Sequence, residues 1–380
     1  MYGICNSNNK SGVCMQMYRC THPVPGRTHV CTVDRPHNLE SQVESTFVSL
    51  LELWQDFAFY PPSSLSPFFR MLRVAAVNFR TSSNRSELLA RAVKLIETAV
   101  TEHQAQLIVL PEAFTGLYGV DHFAANAEQW KAKDSGTQMM AEQAAKWGCH
   151  IVGGVIEQHP INKKLFNTVA AFGPGGEVAR YRKIHLSKVQ VGPDATSEGS
   201  ILESGDELSW FDIAHGSEDG RGWRIGLACC FDLRFRELSD MLVKPPPHGV
   251  GADVILYPSS WLKSTGDLGH WESLLKARAL DGQCYVVGVS NAQDDAQECV
   301  AYGHSQIIDP LGQVVNVCVD HCADELVVGE MNMETMINVR TSMIPLEQCR
   351  RPIIYNEALR NAQQNPNAMM RPPTGFGSKE

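Results

Sequence analysis

The chain has 380 residues, 43% of them hydrophobic, with a formal charge of −9 and a pI near 5.8. That is enough apolar material for a large core. The acidic balance excludes a general binder of nucleic-acid backbones, which needs a basic surface to release counterions, and no run reaches the roughly 18 apolar residues of a membrane span, so neither nucleic acid nor membrane is an expected partner.

Residues 1–70 hold Pro, Ser, Asn and four scattered cysteines (Cys5, Cys14, Cys20, Cys31), then a more apolar patch with no sustained period. This segment reads as an N-terminal extension, expected to be poorly ordered, a targeting segment or an artefact of the gene model, because Met71 stands directly before the first convincing strand. Its cysteines lack paired C-x-x-C spacing and make a poor zinc site. Several of the twelve cysteines lie inside apolar runs (Cys149, Cys229, Cys284, Cys318), where a reduced thiol behaves as a small hydrophobe. The expected compartment is therefore reducing and cytoplasmic, with a mitochondrial alternative if the extension is a transit peptide.

From residue 71 onward the pattern alternates. An apolar run at 74–79 predicts a strand, and 86–102 predicts a helix with Leu88, Leu89, Ala92, Val93, Ile96, Ala99 and Val100 on one face. A strand at 106–110, a helix at 138–147 and a strand at 150–156 follow. Two hairpins break a purely parallel reading: 168–172 and 177–181 flank Gly173-Pro174-Gly175-Gly176, and 305–308 and 313–317 flank Asp309-Pro310-Leu311-Gly312. Mixed sheets with helices on their outer faces are expected, and no Gly-x-Gly-x-x-Gly follows a strand. One domain should span 71–358, and the Asn-, Pro- and Gln-rich tail 359–380 is expected to be disordered.

Three polar residues close apolar strands: Glu112 after Leu107 to Leu110 and Pro111, Lys183 after Val178 to Arg182, and Cys230 after Ile225 to Cys229. Singly, each has an ordinary structural explanation. Together they supply a thiol nucleophile, a carboxylate that can take its proton and return it to a leaving amine, and an ammonium for a developing oxyanion, assisted by the backbone N–H of Phe231. Cys229 competes with Cys230, but neighbours on a strand face opposite sides, so only one thiol is expected to meet Glu112.

Leu110-Pro111-Glu112, Tyr181-Arg182-Lys183-Ile184-His185-Leu186 and Cys230-Phe231-Asp232-Leu233-Arg234-Phe235 resemble, in this order, the three signature segments of the nitrilase superfamily. The likeness runs from about residue 73 to 355. It implies an α/β fold, a four-layer αββα sandwich that dimerises or forms higher homo-oligomers, and a Glu-Lys-Cys triad of Glu112, Lys183 and Cys230 with no metal and no cofactor. It also implies a supporting glutamate after the lysine, matched by counting to Glu198, with Glu203 the weaker match.

Within the superfamily the omega-amidase branch is the most similar, on Tyr118-Gly119 and on Asp294-Asp295 before Tyr302-Gly303-His304-Ser305. The implied reaction is hydrolysis of the amide of 2-oxoglutaramate or 2-oxosuccinamate to carboxylate and ammonia. Arg234 would hold the distant carboxylate, Thr265 would add a hydrogen bond, and Trp261, where the branch more often has Phe, would wall the pocket, with Tyr118 beside them. Arg234 could instead pair with Asp232 or Glu237 as scaffold. The alternatives are deaminated-glutathione amidase, N-carbamoyl amide hydrolase, nitrilase, or a non-catalytic binding member of the fold. His185 and His270 are assigned to packing or hydrogen bonding.

Overall fold

The computed structural model describes residues 2–9, 12–19, 71–191, 194–214, 222–351 and 353–355. The chain divides into two compact units, Met1–Ser64 and Leu65–Glu380. In the first, β1 (Tyr2–Asn9) and β2 (Gly12–Arg19) pair antiparallel. The rest of the N-terminal extension, the side chains of its four cysteines and the tail 359–380 lie outside the described residues.

The second unit contains two six-stranded mixed sheets. In chain order its strands are β3 (Met71–Asn78), β4 (Leu107–Val109), β5 (His150–Gln158), β6 (Leu165–Gly173), β7 (Gly176–Arg182), β8 (Lys188–Val191) and β9 (Asp194–Ser197). There follow β10 (Ser209–Ile213), β11 (Trp223–Leu227), β12 (Val254–Ser259), β13 (Tyr285–Ser290), β14 (Gln306–Ile308), β15 (Val314–Val317) and β16 (Glu325–Asn332). One sheet runs β16-β3-β4-β5-β6-β7 and the other β10-β11-β12-β13-β14-β15, while β8 and β9 form a separate hairpin. In each sheet three strands are parallel, β3-β4-β5 and β11-β12-β13, and antiparallel neighbours flank them. Both expected hairpins are present, as β6-β7 and β14-β15.

Alternation along β3 shows how the layers form. Leu72, Val74 and Ala76 belong to the core shared with Ile225, Leu256 and Val287 of the second sheet, whereas Ala75 and Val77 face the helices Arg85–Thr101 and Gly136–Trp147. Period two thus places one apolar set between the sheets and the other under helices. On the far side of the second sheet, Leu238 and Leu242 from Arg236–Val243, with Trp271, Leu275 and Ala279 from His270–Gly282, close the fourth layer. This is the expected αββα sandwich. The helix read as starting at 138 begins at Gly136, because the Ser135 side chain caps it by accepting from the Gln138 N–H at 3.0 Å.

The layers leave one end where strand termini of both sheets meet. The chain after β4 crosses directly over β5: the Gly154 N–H donates to the Pro111 carbonyl at 3.0 Å, and a Cβ on Gly154 would stand 2.6 Å from the Glu112 Cα. Glycine is required there by close backbone approach. Gly154→Ala should therefore cost about 2–3 kcal/mol of stability by forced backbone displacement. Thermal and urea unfolding of the purified variant measures the loss, and a midpoint equal to the native one would refute the crowding.

Candidate active site

Four strand ends converge. Glu112 follows β4, Lys183 directly follows β7, Cys230 follows β11, and Ser260 follows β12. Open α/β sheets place reactive groups beyond the carboxyl ends of parallel strands, and the first, third and fourth of these obey that rule. Lys183 arrives differently: its N–H donates to the Asn167 carbonyl at 2.8 Å, extending the β6-β7 ladder one residue past β7.

Glu112, Lys183 and Glu198 are all fully buried. The Lys183 Nζ lies 2.9 Å from Glu112 Oε1 and 2.9 Å from Glu198 Oε2. Burial opposes the lysine's charge, but the two carboxylates outweigh it and hold its pKa well above the ordinary value. Burial likewise opposes ionisation of Glu198, and Lys183 with the Ser187 N–H at 2.6 Å overcomes it, so its pKa is lowered. Tyr118 donates to Glu198 Oε1 at 2.9 Å, and burial first, then the charges of Glu198 and Glu112, raise the pKa of its phenol well above the usual value. Glu203 instead reaches Lys164, so geometry selects Glu198 as the second carboxylate.

Glu112 is held from every side. Oε1 accepts from Lys183 and from Asn167 Nδ2 at 2.6 Å, Oε2 accepts from the Ser260 N–H at 2.6 Å, and its backbone carbonyl accepts from Asn291 Nδ2 at 2.9 Å. Asn167 also donates to Glu198 Oε1 at 3.1 Å, tying the two carboxylates together. These partners were not singled out from sequence. Asn167 is a polar residue buried in an apolar strand, the only sequence signal it gives, while Ser260 contributes a backbone donor that no side-chain pattern reveals.

The thiols require a correction. Cys229 was expected to face away from Glu112, yet its Sγ donates to Glu112 Oε1 at 3.3 Å, and the Cys230 thiol lies against the same carboxylate. Strand alternation fails because β11 ends at Leu227 and Cys230 has φ of +45°, opening a tight turn over Cys230–Arg234. Access separates the two: Cys230 lines the cleft, whereas Cys229 is fully buried and does not. Burial, and then the Glu112 charge, raise the pKa of the Cys230 thiol well above the ordinary value, so it needs a base to become a nucleophile.

The cleft is lined by Tyr118, Cys230, Phe231, Arg234, Trp261 and Thr265, among others, and leaves about 20 Å³ of free space, room for about one water. A larger cavity of about 570 Å³ lies elsewhere; its Arg224 and Arg340 are already paired with Asp212 and Asp253, and Glu112, Lys183 and Cys230 do not line it. The Arg234 guanidinium lies 4.5 Å from the Trp261 ring centre and 5.6 Å from that of Phe231, with His270 Nδ1 at 3.3 Å. No carboxylate among the described residues pairs with it, and burial lowers its pKa. The scaffold alternative fails because Asp232 is occupied by the Tyr181 hydroxyl at 2.7 Å, the His185 ring at 2.8 Å and the Cys229 N–H at 2.9 Å. Thr265 donates to the Leu262 carbonyl at 3.2 Å, and Tyr118 serves Glu198 from the cleft wall.

A family model described as carbon-nitrogen hydrolase matches residues 73–341. Omega-amidase NIT2-A of Xenopus laevis is 34% identical over 286 residues, covering 75% of this chain and 96% of its own, and human omega-amidase NIT2 is 33% identical over 285 residues, covering 74% and 96%. Among solved structures, Saccharomyces cerevisiae Nit3, a member of branch 10 of the nitrilase superfamily, superposes with a TM-score of 0.63 at 29% identity, covering 74% of this chain and 97% of that one. Among the described residues no helix is long and apolar enough to cross a membrane.

The buried charges set a pH dependence of stability. Because the folded pKa of Glu198 lies below its unfolded value, its contribution is present above the unfolded pKa and lost as pH falls through the folded one. Glu198→Gln should cost about 3–5 kcal/mol near neutrality, as expected for breaking a buried pair, and the deficit should shrink below about pH 4. Urea unfolding of both proteins across pH 3–7 checks this; a deficit independent of pH would contradict it.

Proposed function

This chain belongs to the carbon-nitrogen hydrolase family, and we propose that it is an omega-amidase, converting the terminal carboxamide of a short 2-oxo dicarboxylic acid monoamide, 2-oxoglutaramate or 2-oxosuccinamate, to carboxylate and ammonia. The observation that carries this reading is Arg234: a half-buried guanidinium on the cleft wall with no carboxylate partner among the described residues. A substrate carboxylate supplies the missing anion. The named omega-amidases at 33–34% identity support the same choice.

In the proposed cycle Cys230 attacks the amide carbon while its proton passes to Glu112. Negative charge growing on the carbonyl oxygen is met by the Lys183 ammonium and the Phe231 N–H. Glu112 then protonates the departing ammonia, leaving a thioester on Cys230. Afterwards it removes a proton from the water that releases the carboxylate, and the thiol is restored.

Glu198 explains why the lysine can stay charged throughout. When Glu112 is protonated, Lys183 loses one of its two anionic partners but keeps the other at 2.9 Å. The lysine therefore acts as a fixed cation rather than as a proton donor, with Tyr118 and the Ser187 N–H holding Glu198 in place. The reading includes a homodimer formed through the outer helical layer, where Met241 and Leu280 are exposed.

Purified protein should release ammonia from 2-oxoglutaramate, and Cys230→Ala should abolish release without changing the unfolding midpoint. Arg234→Met should raise KM at least about tenfold for this substrate, the size expected for losing a charged bidentate contact, while sparing a neutral amide such as butyramide. Equal loss on both amides would remove Arg234 from carboxylate recognition, and turnover by Cys230→Ala would remove the thiol from the reaction.

A further inference from the structure

Cys229 has no place in the cycle above, yet it touches the centre of it. Its thiol is fully buried, behind the cleft wall, and donates to Glu112 Oε1 at 3.3 Å with Asn167 Oδ1 at 3.7 Å. Oε1 thus accepts three donors from described residues: Lys183, Asn167 and Cys229. Oε2 accepts one, the Ser260 N–H.

A carboxylate oxygen has two lone pairs: Lys183 and Asn167 take up those of Oε1, Cys229 adds a third, weaker contact on the same oxygen, and Oε2 has only the Ser260 N–H among these donors. We propose that Cys229 is a positioning residue for the base: its S–H packs a third donor against Oε1, fixes that oxygen in place, and leaves Oε2 as the oxygen that exchanges a proton with Cys230. The inference rests on the thiol-amidase reading, since it assigns Glu112 as base to Cys230. Burial keeps the proton on Cys229, its thiol pKa being raised well above the ordinary value first by desolvation and then by the Glu112 charge, so it remains a donor at every working pH. Its own backbone N–H is held by Asp232 at 2.9 Å.

The consequence is a shift in the pH at which Cys230 becomes reactive. Hydrogen bonds to a carboxylate favour its charged form, so removing Cys229 should move the acid limb of Cys230 alkylation to higher pH.

The test uses the full chain and iodoacetamide, itself a small amide, as the probe. Alkylation of Cys230 is followed by peptide mass spectrometry from pH 5 to 9 in the native protein, Cys229→Ala and Cys229→Ser, with unfolding midpoints recorded for each. In Cys229→Ala the acid limb should move up by about half a pH unit, the size expected for losing one weak donor to a carboxylate, so that Cys230 reacts up to about threefold more slowly on that limb and at the native rate above it. Cys229→Ser, which keeps an O–H donor, should restore the native limb. Superimposable profiles for native and Cys229→Ala would overturn the proposal, as would an equal slowing at all pH values in both variants, which marks a packing role, or alkylation of Cys229 ahead of Cys230. Ammonia release from 2-oxoglutaramate, measured on the same samples, reports on the amidase reading separately: its absence with a shifted alkylation limb would refute the substrate and keep the positioning role.

Discussion

The structure is organised around one buried cation. Lys183 sits at zero exposure between two carboxylates, each 2.9 Å from its Nζ. An ammonium in that position without anions would lose its proton, and either carboxylate without the ammonium would gain one. Each charge therefore depends on the others, and everything nearby serves to keep them in register: Asn167 bridges the two carboxylates, the Ser187 and Ser260 N–H groups hold one oxygen each, and Tyr118 caps the second glutamate. Buried charge clusters of this kind seldom add stability over an apolar core. Their value lies in a preset electrostatic field that does not have to reorganise when charge moves.

The αββα sandwich explains how such a cluster can be assembled at all. Glu112, Asn167 and Lys183 come from one sheet and Cys230, Ser260 and Asn291 from the other, so closing the sandwich and closing the site are the same event. Glu198 enters from outside both sheets, on the turn that follows the β8-β9 hairpin. Each sheet repeats the pattern of a parallel triple flanked by antiparallel strands, and the two triples end at the same side of the molecule. Arg182 and Arg180, by contrast, pair with Glu157 away from the cluster, which leaves the adjacent Lys183 alone to point inward.

Much of this was legible in the sequence because it is written in side chains at strand ends. Glu112, Lys183 and Cys230 stood out as polar residues closing apolar runs, the two hairpins announced themselves by Gly- and Pro-containing turns, and the family resemblance pointed to Glu198, which the structure places 2.9 Å from Lys183. What was hidden is of two kinds. Backbone donors such as the Ser260 N–H have no residue signature, and Asn167 shows only as a polar interruption of an apolar strand. The rule of alternating faces misled at Cys229 because the strand had already ended at Leu227, and Cys230 adopts a left-handed backbone that a strand does not contain. Such a conformation costs a non-glycine residue roughly 1–2 kcal/mol, and the surrounding fold sustains it.

The charge arithmetic of the cluster also gives the reaction a direction. With Glu112 and Glu198 ionised and Lys183 protonated, the buried group carries one net negative charge. In the proposed reaction the amide end of the substrate presents no charge to that group, whereas the carboxylate formed in its place sets a further anion against the first in a medium that screens little. On that reading the cluster opposes the new carboxylate but not the amide it replaces. Product departure would then be favoured by the same lysine-bridged pair that the proposed cycle uses to ready the thiol.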